Sequence, residues 1–459
     1  MLQVSCNNAP VTGQITVSQP SVLLTFRADN ARSFRDELEF SMLATRLSER
    51  RFVRRVEWRE GGTPIPVLPA AGVFGANGSG KSNLLKAMDD MRGCVLHSFR
   101  RGDPEGRIPR RPFVLNRARR AEPTEFEVDL ILNGIRHMYG FCIDDERVLD
   151  EWAFHYPKGR PALIFRRSDE KVDAGSVERQ KTRAVQELLR PNALFLSAAA
   201  SANHAALLPL YQWFSRNLVL AEADSRPFRQ ALTTDMLGDE ASRDRVLALL
   251  QAADLGIVDA RKQEPDPVMQ ERLRRAIRIL AGTDGESDSD DGPAFEELGV
   301  RLVHRGADGE EVELDAADES FGTRVWFGLI GPVVQALETG SVFLADELDA
   351  SLHPALAAEL VRLFQDPNTN PRRAQLIFNS HDSTLLGDAA GDRLLGRDQI
   401  WFTEKSDDGS TRLYPLMELE PRKQEAIGKR YLDGRYGATP VLSHGEFASA
   451  VALEPAGVH

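Results

Sequence analysis

The sequence predicts an α/β chain built on a parallel layer, with an antiparallel meander in its first lobe and a helical insertion. Three observations predict it. Residues 67–75 (VLPAAGVFG) are an apolar run entering a glycine-rich loop, and KSNLLKAMDDM follows with apolar residues at helical spacing. SVFLADELD and AQLIFNSHD are short apolar runs on either side of the amphipathic PALAAELVRLFQD, and strands alternating with helices indicate a parallel layer. From about 121 to 166, apolar and polar residues alternate through FEVDLILNG, IRHMYGFCID, WAFHYP and ALIFRR. The turn-like NG and DDE breaks between them describe a meander.

The other elements follow in order. Residues 22–28 (VLLTFRA) read as a strand. Residues 201–280 change character: ALLPLYQWFSRNL, DEASRDRVLALLQAADL and VMQERLRRAIRIL carry apolar residues three and four apart, which predicts helices throughout. The tract GTDGESDSDDG (282–292) is too acidic and polar to pack. FEELGVRLVHR and EVELDAADE read as strand, turn and strand, and FGTRVWFGLIGPVVQALETG as a helix ending on Gly340. These runs divide the chain into a first lobe (21–200), a helical insertion ending in the acidic tract (201–294) and a second lobe (295–459).

Composition narrows the function classes. With 459 residues, 42% hydrophobic and 27% charged, the chain can bury a large core in two or three lobes. No apolar run approaches the roughly 20 residues that span a bilayer, and the first residues lack the pattern of a secretory signal. A cytoplasmic protein with no membrane partner is expected. Cys6, Cys94 and Cys142 are widely spaced and read as reduced thiols rather than a disulfide framework or zinc site. The net charge of −12 argues against a polycation that coats nucleic acid. One stretch departs from it: residues 100–120 hold eight arginines against Asp103 and Glu105. They read either as a contact for nucleic-acid phosphates or an acidic partner, or as a solvated surface loop; few aromatics interleave for base stacking. GKRYLDGRYGATP (428–440) reads as either a partner or nucleotide contact or a packing segment.

The motifs carry the chemistry. Gly75, Gly80, Lys81 and Ser82 satisfy the phosphate-loop pattern G-x-x-x-x-G-K-[ST] in the required strand–loop–helix setting. In Gly75, Ala76, Asn77, Gly78, Ser79, Gly80, Lys81, Ser82 and Asn83, backbone N–H groups and the helix start would cradle phosphates. Lys81 would reach the β- and γ-phosphates, and Ser82 would ligate Mg²⁺. Asp346 ends an apolar strand, where it would hold Mg²⁺, and Glu347 beside it would polarise the attacking water. On its own, a phosphate loop leaves kinase, GTPase, transporter motor and DNA-linked ATPase open.

Asp349, the run Ser351-Leu352-His353-Pro354 and the strand-end His381 in FNSHDS follow in the order seen in ABC-type ATPases. They resemble that superfamily's D-loop and switch histidine, and ESFGTR (319–324) lies where its signature does. The resemblance implies a homodimer closed head to tail, with Ser320, Gly322, Thr323 and Asp349 meeting a nucleotide held by the other copy. Catalytic roles fall to Glu347, His381 and Lys81. Phe321 occupies a signature position that is small in the family, and no glutamine stands where a Q-loop is expected.

Some 238 positions separate Lys81 from Glu319, too many for a transporter subunit, and no heptads fill the interval as in SMC-type ATPases. With LLTFRADNARSF, EPTEFEVDLILNGIRHMYGF, EWAFHYPKGRPALIF and KRYLDGRYGATP, the chain most resembles the AAA/ABC-like ATPases of bacterial abortive-infection and phage-defence operons. These are the overcoming-lysogenisation kind without an attached nuclease. No D-x-D on a strand end follows His381, as a Toprim nuclease would need. The resemblance implies ATP hydrolysis that controls a nuclease or toxin partner encoded nearby. It treats residues 1–20 as an extension or an early start. Two alternatives stand beside it: a RecF-like repair ATPase whose nucleotide state gates DNA binding, and a nucleotide-sensing scaffold that hardly turns over.

Overall fold

The computed structural model describes residues 21–451, apart from 60, 101, 176–177, 264–298, 388–392 and 441–443. The chain opens with strands β1 (Val22–Asp29) and β2 (Leu38–Ser41). A small pair, β3 (Arg54–Val56) and β4 (Ile65–Val67), follows, and then β5 (Ala70–Gly75). After helix Lys81–His97 comes the meander: β6 (Thr124–Leu132), β7 (Ile135–Ile143), β8 (Val148–His155), β9 (Ala162–Ser168) and β10 (Lys171–Ala174). Strand β11 (Leu218–Ala221) precedes helices Arg226–Met236 and Glu240–Ala252. Then come β12 (Ile257–Lys262), β13 (Val300–Arg305) and β14 (Glu311–Asp315). Helix Phe321–Thr339 leads into β15 (Val342–Ala345), helix Pro354–Gln365, β16 (Gln375–Asn379), β17 (Ile400–Lys405) and β18 (Thr411–Pro415).

The central sheet runs β11-β15-β16-β5-β17-β18, with every neighbour pair parallel except β17 with β18. Its middle strands are buried on both faces, which is why they read as unbroken apolar runs. Alternate residues serve opposite cores. Val73, Leu344 and Ile377 belong to the core shared with the meander, whereas Phe74, Phe343 and Phe378 belong to the core under helices Phe321–Thr339 and Pro354–Gln365. The meander forms a second, antiparallel sheet in the order β10-β9-β8-β7-β6-β1-β2. Helix Phe321–Thr339 stops at Gly340, which is left-handed (φ 69°). A Cβ there would stand 2.6 Å from the Arg372 carbonyl oxygen.

Residues 201–280 are not helical throughout. LVLA (218–221) is an edge strand of the central sheet, and 257–262 a strand of the small sheet β12-β13-β14. Tertiary pairing overrides local pattern here: β11 holds its parallel register with β15 from Leu218↔Val342 to Ala221↔Ala345. Late in the chain, Tyr431 and Tyr436 stack on Phe402 with ring centroids at 5.5 and 5.7 Å, so packing is what GKRYLDGRYGATP does. Residues 1–20 with Cys6, the run VMQERLRRAIRIL and the acidic tract lie outside the described residues. Among the described residues, no helix is long and apolar enough to cross a membrane.

Candidate functional site

The parallel strands β5, β15 and β16 end at one edge of the central sheet, and the loops after them carry the motifs. Gly75 closes β5 against β17: a Cβ there would lie 2.5 Å from the Thr403 carbonyl oxygen and 2.7 Å from Ser79 Oγ. Gly80 is left-handed (φ 105°), and a Cβ would stand 2.2 Å from Thr411 Oγ1. Both positions therefore require glycine. The loop is braced from β17 and β18, since Ser79 Oγ lies 2.7 Å from Thr403 Oγ1 and Thr411 Oγ1 donates to the Ser79 carbonyl at 2.8 Å. Asn83 Nδ2 donates to Ser33 Oγ at 2.8 Å, tying the helix start to the turn after β1.

Lys81 is buried inside this loop. Its Nζ donates to the carbonyls of Gly75 (2.8 Å) and Ala76 (3.0 Å) and lies 3.2 Å from His381 Nδ1. Burial pushes the ammonium down to about 8, with the nearby carboxylates of Asp349, Glu347 and Asp346 pulling the other way. Gly80 cannot cap the helix with a side chain, and no acidic residue stands in the first turn of Lys81–His97. The N-terminal amides of a 17-residue helix thus face the loop uncapped, which suits an anion. Asn77 and Gly78 at the tip are exposed.

Asn379, the last residue of β16, knits the acidic strand end to the loop. Its Nδ2 donates to Asp346 Oδ1 at 2.5 Å and to Ser82 Oγ at 3.3 Å, and its Oδ1 accepts the Glu347 N–H. Ser82 and Asp346 therefore lie close enough to share a ligand, and their hard oxygens suit Mg²⁺. Among the described residues no group of three or more His, Cys, Asp or Glu side chains could hold a metal unaided, so phosphate oxygens would have to complete the shell. Glu347 is exposed and left-handed (φ 54°), turned out of the strand directly after Asp346. Asp349 accepts the His381 N–H at 3.3 Å through Oδ2, while its buried Oδ1 has no partner. The sequence singled out Asp346, Glu347 and His381 but passed over Asn379. Its only signal was a polar residue at the carboxyl end of a fully buried strand.

The residues of ESFGTR sit apart from the loop of the same chain. Ser320 caps helix Phe321–Thr339, its Oγ accepting the Thr323 N–H at 3.1 Å. Gly322 lies against the loop after Glu347, where a Cβ would stand 2.8 Å from the Ser351 carbonyl. Thr323, expected as a contact to the other copy's nucleotide, has a structural partner in its own chain. It is only 5% exposed, and its hydroxyl lies 2.8 Å from Ser320 Oγ, so it holds the helix start together.

The arginine stretch divides into engaged and exposed side chains. The Arg110 side chain is 2% exposed, paired with Asp145 at 2.5 Å and donating to the carbonyls of Glu122 and Arg120. Arg119 pairs with Asp29 and Glu122. Arg110 is thereby withdrawn from solvent, whereas the Arg119 side chain keeps 22% of its surface exposed. Arg100, Arg107, Arg111, Arg117 and Arg120 are exposed. Cys94 and Cys142 are free thiols that burial pushes up to about 12, consistent with unreactive side chains.

A family model described as "AAA domain, putative AbiEii toxin, Type IV TA system" matches residues 70–387. That span contains the phosphate loop, ESFGTR, the Asp346–Glu347 pair, Asp349 and His381. No curated protein matches the sequence. Among solved structures, the chain is similar to an SMC head domain from Thermotoga maritima, with 12% identity and a TM-score of 0.38 over 86% of this chain and 98% of that one. It is also similar to the recombination mediator protein RecF with ATP, with 10% identity and a TM-score of 0.33 over 87% and 99%.

Proposed function

The chain belongs to this AAA-domain family and is an ATPase of the P-loop, ABC-like kind, and from that premise we propose a fuller activity. It binds ATP with Mg²⁺, closes head to tail on a second copy, hydrolyses the nucleotide, and through the closed state controls a nuclease or toxin partner in antiphage defence. The observation that carries the catalytic part is a shared network. Lys81 meets His381, and one amide, that of Asn379, ties Ser82 to Asp346.

Each residue then has work to do. The loop amides of residues 75–83 and Lys81 bind and orient the triphosphate. Ser82 and Asp346 would hold Mg²⁺, which when bound neutralises charge on the phosphate oxygens. Glu347, exposed beside Asp346 with its N–H fixed by Asn379, takes the proton of the attacking water. His381, anchored through its N–H by Asp349 and next to Lys81, meets the γ-phosphate. Ser320 and the Gly322 backbone face the nucleotide of the other copy. In this reading the inserted element begins near Ser225 rather than at 201, because β11 is part of the sheet that builds the site.

The defence role rests on the family and on the resemblance of motifs. The RecF-like alternative requires DNA alone to stimulate hydrolysis, and one cation of the arginine stretch, Arg110, is held inside the fold. The test uses two variants. Lys81→Ala is expected to abolish ATP binding, measured with a fluorescent nucleotide. Glu347→Gln is expected to bind ATP, lose turnover and accumulate as a stable dimer in light scattering. A Glu347→Gln variant that turns over normally would sink the hydrolytic assignment and favour a nucleotide-sensing scaffold.

A further inference from the structure

The start of helix Phe321–Thr339 gathers Arg226, Arg229 and Arg324, and among the described residues no carboxylate forms an ion pair with Arg226 or Arg324. The Arg226 guanidinium lies 4.6 Å from the Phe321 ring centroid, and that of Arg324 lies 5.9 Å from the same ring. Arg324 Nε and Arg229 Nε are buried without partners, and Arg229 donates only to the backbone carbonyl of Glu222. The carboxylate of Glu222 is engaged by Lys86 at 3.5 Å. Phe321 is 47% exposed, so the ring that carries these guanidiniums is open to solvent.

The cluster is held rigidly. Helix Arg226–Met236 approaches helix Phe321–Thr339 at backbone distance because the facing residues are glycines. A Cβ at Gly331 would lie 2.6 Å from Thr233 Oγ1 and 2.9 Å from its backbone nitrogen, and one at Gly328 would lie 3.1 Å from Gln230 Cγ. Gln230 Nε2 donates to the Arg324 carbonyl at 2.9 Å, and Thr233 Oγ1 donates to that of Phe327 at 2.8 Å. Arg226 is thereby pressed along the second helix, with its guanidinium over the ring that follows Ser320.

We propose that Arg226, steadied on Phe321 and backed by Arg324, binds phosphate in trans, meeting the triphosphate held in the phosphate loop of a second copy of this chain. The inference rests on the head-to-tail reading above. Charge complementarity carries it: the loop side of the site presents Asp346, Glu347 and Asp349 together with the nucleotide's own charge, whereas this surface presents unpaired guanidiniums. A guanidinium fork matches phosphate oxygens in two-point contact, and an aromatic ring beneath it limits the entropy lost on binding. The arrangement also accounts for Phe321 at a position where a small residue was expected. The large ring is the seat of the arginine.

The experiment compares ATP-dependent dimerisation, by sedimentation velocity with Mg²⁺-ATP, in the Glu347→Gln chain with and without further changes. Arg226→Ala is expected to raise the protein concentration at half-dimerisation about tenfold or more, the scale of one lost charged contact per site. Arg226→Lys should recover part of that loss, and Phe321→Ala should give a smaller one. ATP affinity of the dilute monomer should not change. If Glu347→Gln alone stays monomeric with ATP, the head-to-tail reading fails. If it dimerises and Arg226→Ala dimerises equally well, the reading stands and the Arg226 assignment is overturned. Loss of ATP binding by the Arg226→Ala monomer would also overturn it, since the residue would then act within its own chain.

Discussion

Asn379 shows how much chemistry one amide performs. It accepts from the Glu347 N–H and donates to both Asp346 and Ser82, and its backbone carbonyl takes the Leu348 N–H at 3.1 Å. No other side chain of that size both donates and accepts in this way; aspartate would set a second carboxylate against Asp346. Residues that orient metal-holding and catalytic groups generally cost ten- to a hundredfold when removed. Asn379→Ala is therefore expected to lower kcat by about 10- to 100-fold while leaving the ATP dissociation constant within about threefold, because the loop and Lys81 remain. Single-turnover kinetics alongside equilibrium nucleotide binding separates the two quantities, and an unchanged kcat would remove Asn379 from the machinery. The residue was not legible in the sequence because FNS reads as the tail of a buried strand. Its partners lie 297 and 33 positions away. Lys81, Ser82, Asp346, Glu347 and His381 were legible because each belongs to a local pattern whose spacing is itself the chemistry.

At the scale of elements, the meander is locked to helix Phe195–Ser201 by a buried carboxylate. Glu151 is fully buried on β8. It accepts from Tyr139 Oη at 3.0 Å and from the N–H groups of Phe195 and Leu196, the start of helix Phe195–Ser201, at 2.5 and 2.9 Å. Burial raises its carboxyl while the Arg167 charge holds it down. Arg167 is 1% exposed and donates to the carbonyls of Asp169 and Ala193. Glu151→Ala leaves Tyr139 Oη and two helix-start N–H groups without their acceptor, and stranding a buried donor costs about 1–3 kcal/mol. Urea denaturation is expected to show a loss of that size, with Glu151→Gln milder because its amide still accepts from the helix start. A Glu151→Ala midpoint equal to that of the native chain would mean that water replaces the carboxylate as acceptor. Charge letters in a sequence do not distinguish inside from outside, so neither the burial of Glu151 nor that of Arg110 could be read there. Strands β5, β15 and β16 could be, because burial on both faces leaves an unbroken apolar run. β11 could not: its four residues sit between helical runs, and only pairing with β15, over a hundred positions away, makes LVLA a strand.

For the whole molecule, the central sheet makes the lobes a single cooperative unit. Its residues alternate between two cores, with Val342 and Leu344 in one and Phe343 and Ala345 in the other. Neither core survives loss of the sheet, since each uses it as a wall. The candidate ATP site sits on the same sheet, at the carboxyl ends of β5, β15 and β16. Nucleotide binding should therefore stabilise both cores together rather than one lobe. Trp213 lies in the first core and Trp326 in the second, each at least 96% buried, and they report on the two independently. In protein labelled with 5-fluorotryptophan, the ¹⁹F resonances of these two residues are expected to lose native intensity at the same urea concentration. Mg²⁺-ATP at a hundred times its dissociation constant, added to the Glu347→Gln chain at concentrations where it is monomeric, should shift both midpoints by the same increment. That increment is about 2.7 kcal/mol, the value set by mass action when only the folded state binds. Trp326 melting ahead of Trp213, or a nucleotide shift confined to one of them, would show that the lobes unfold separately and that the sheet does not couple them.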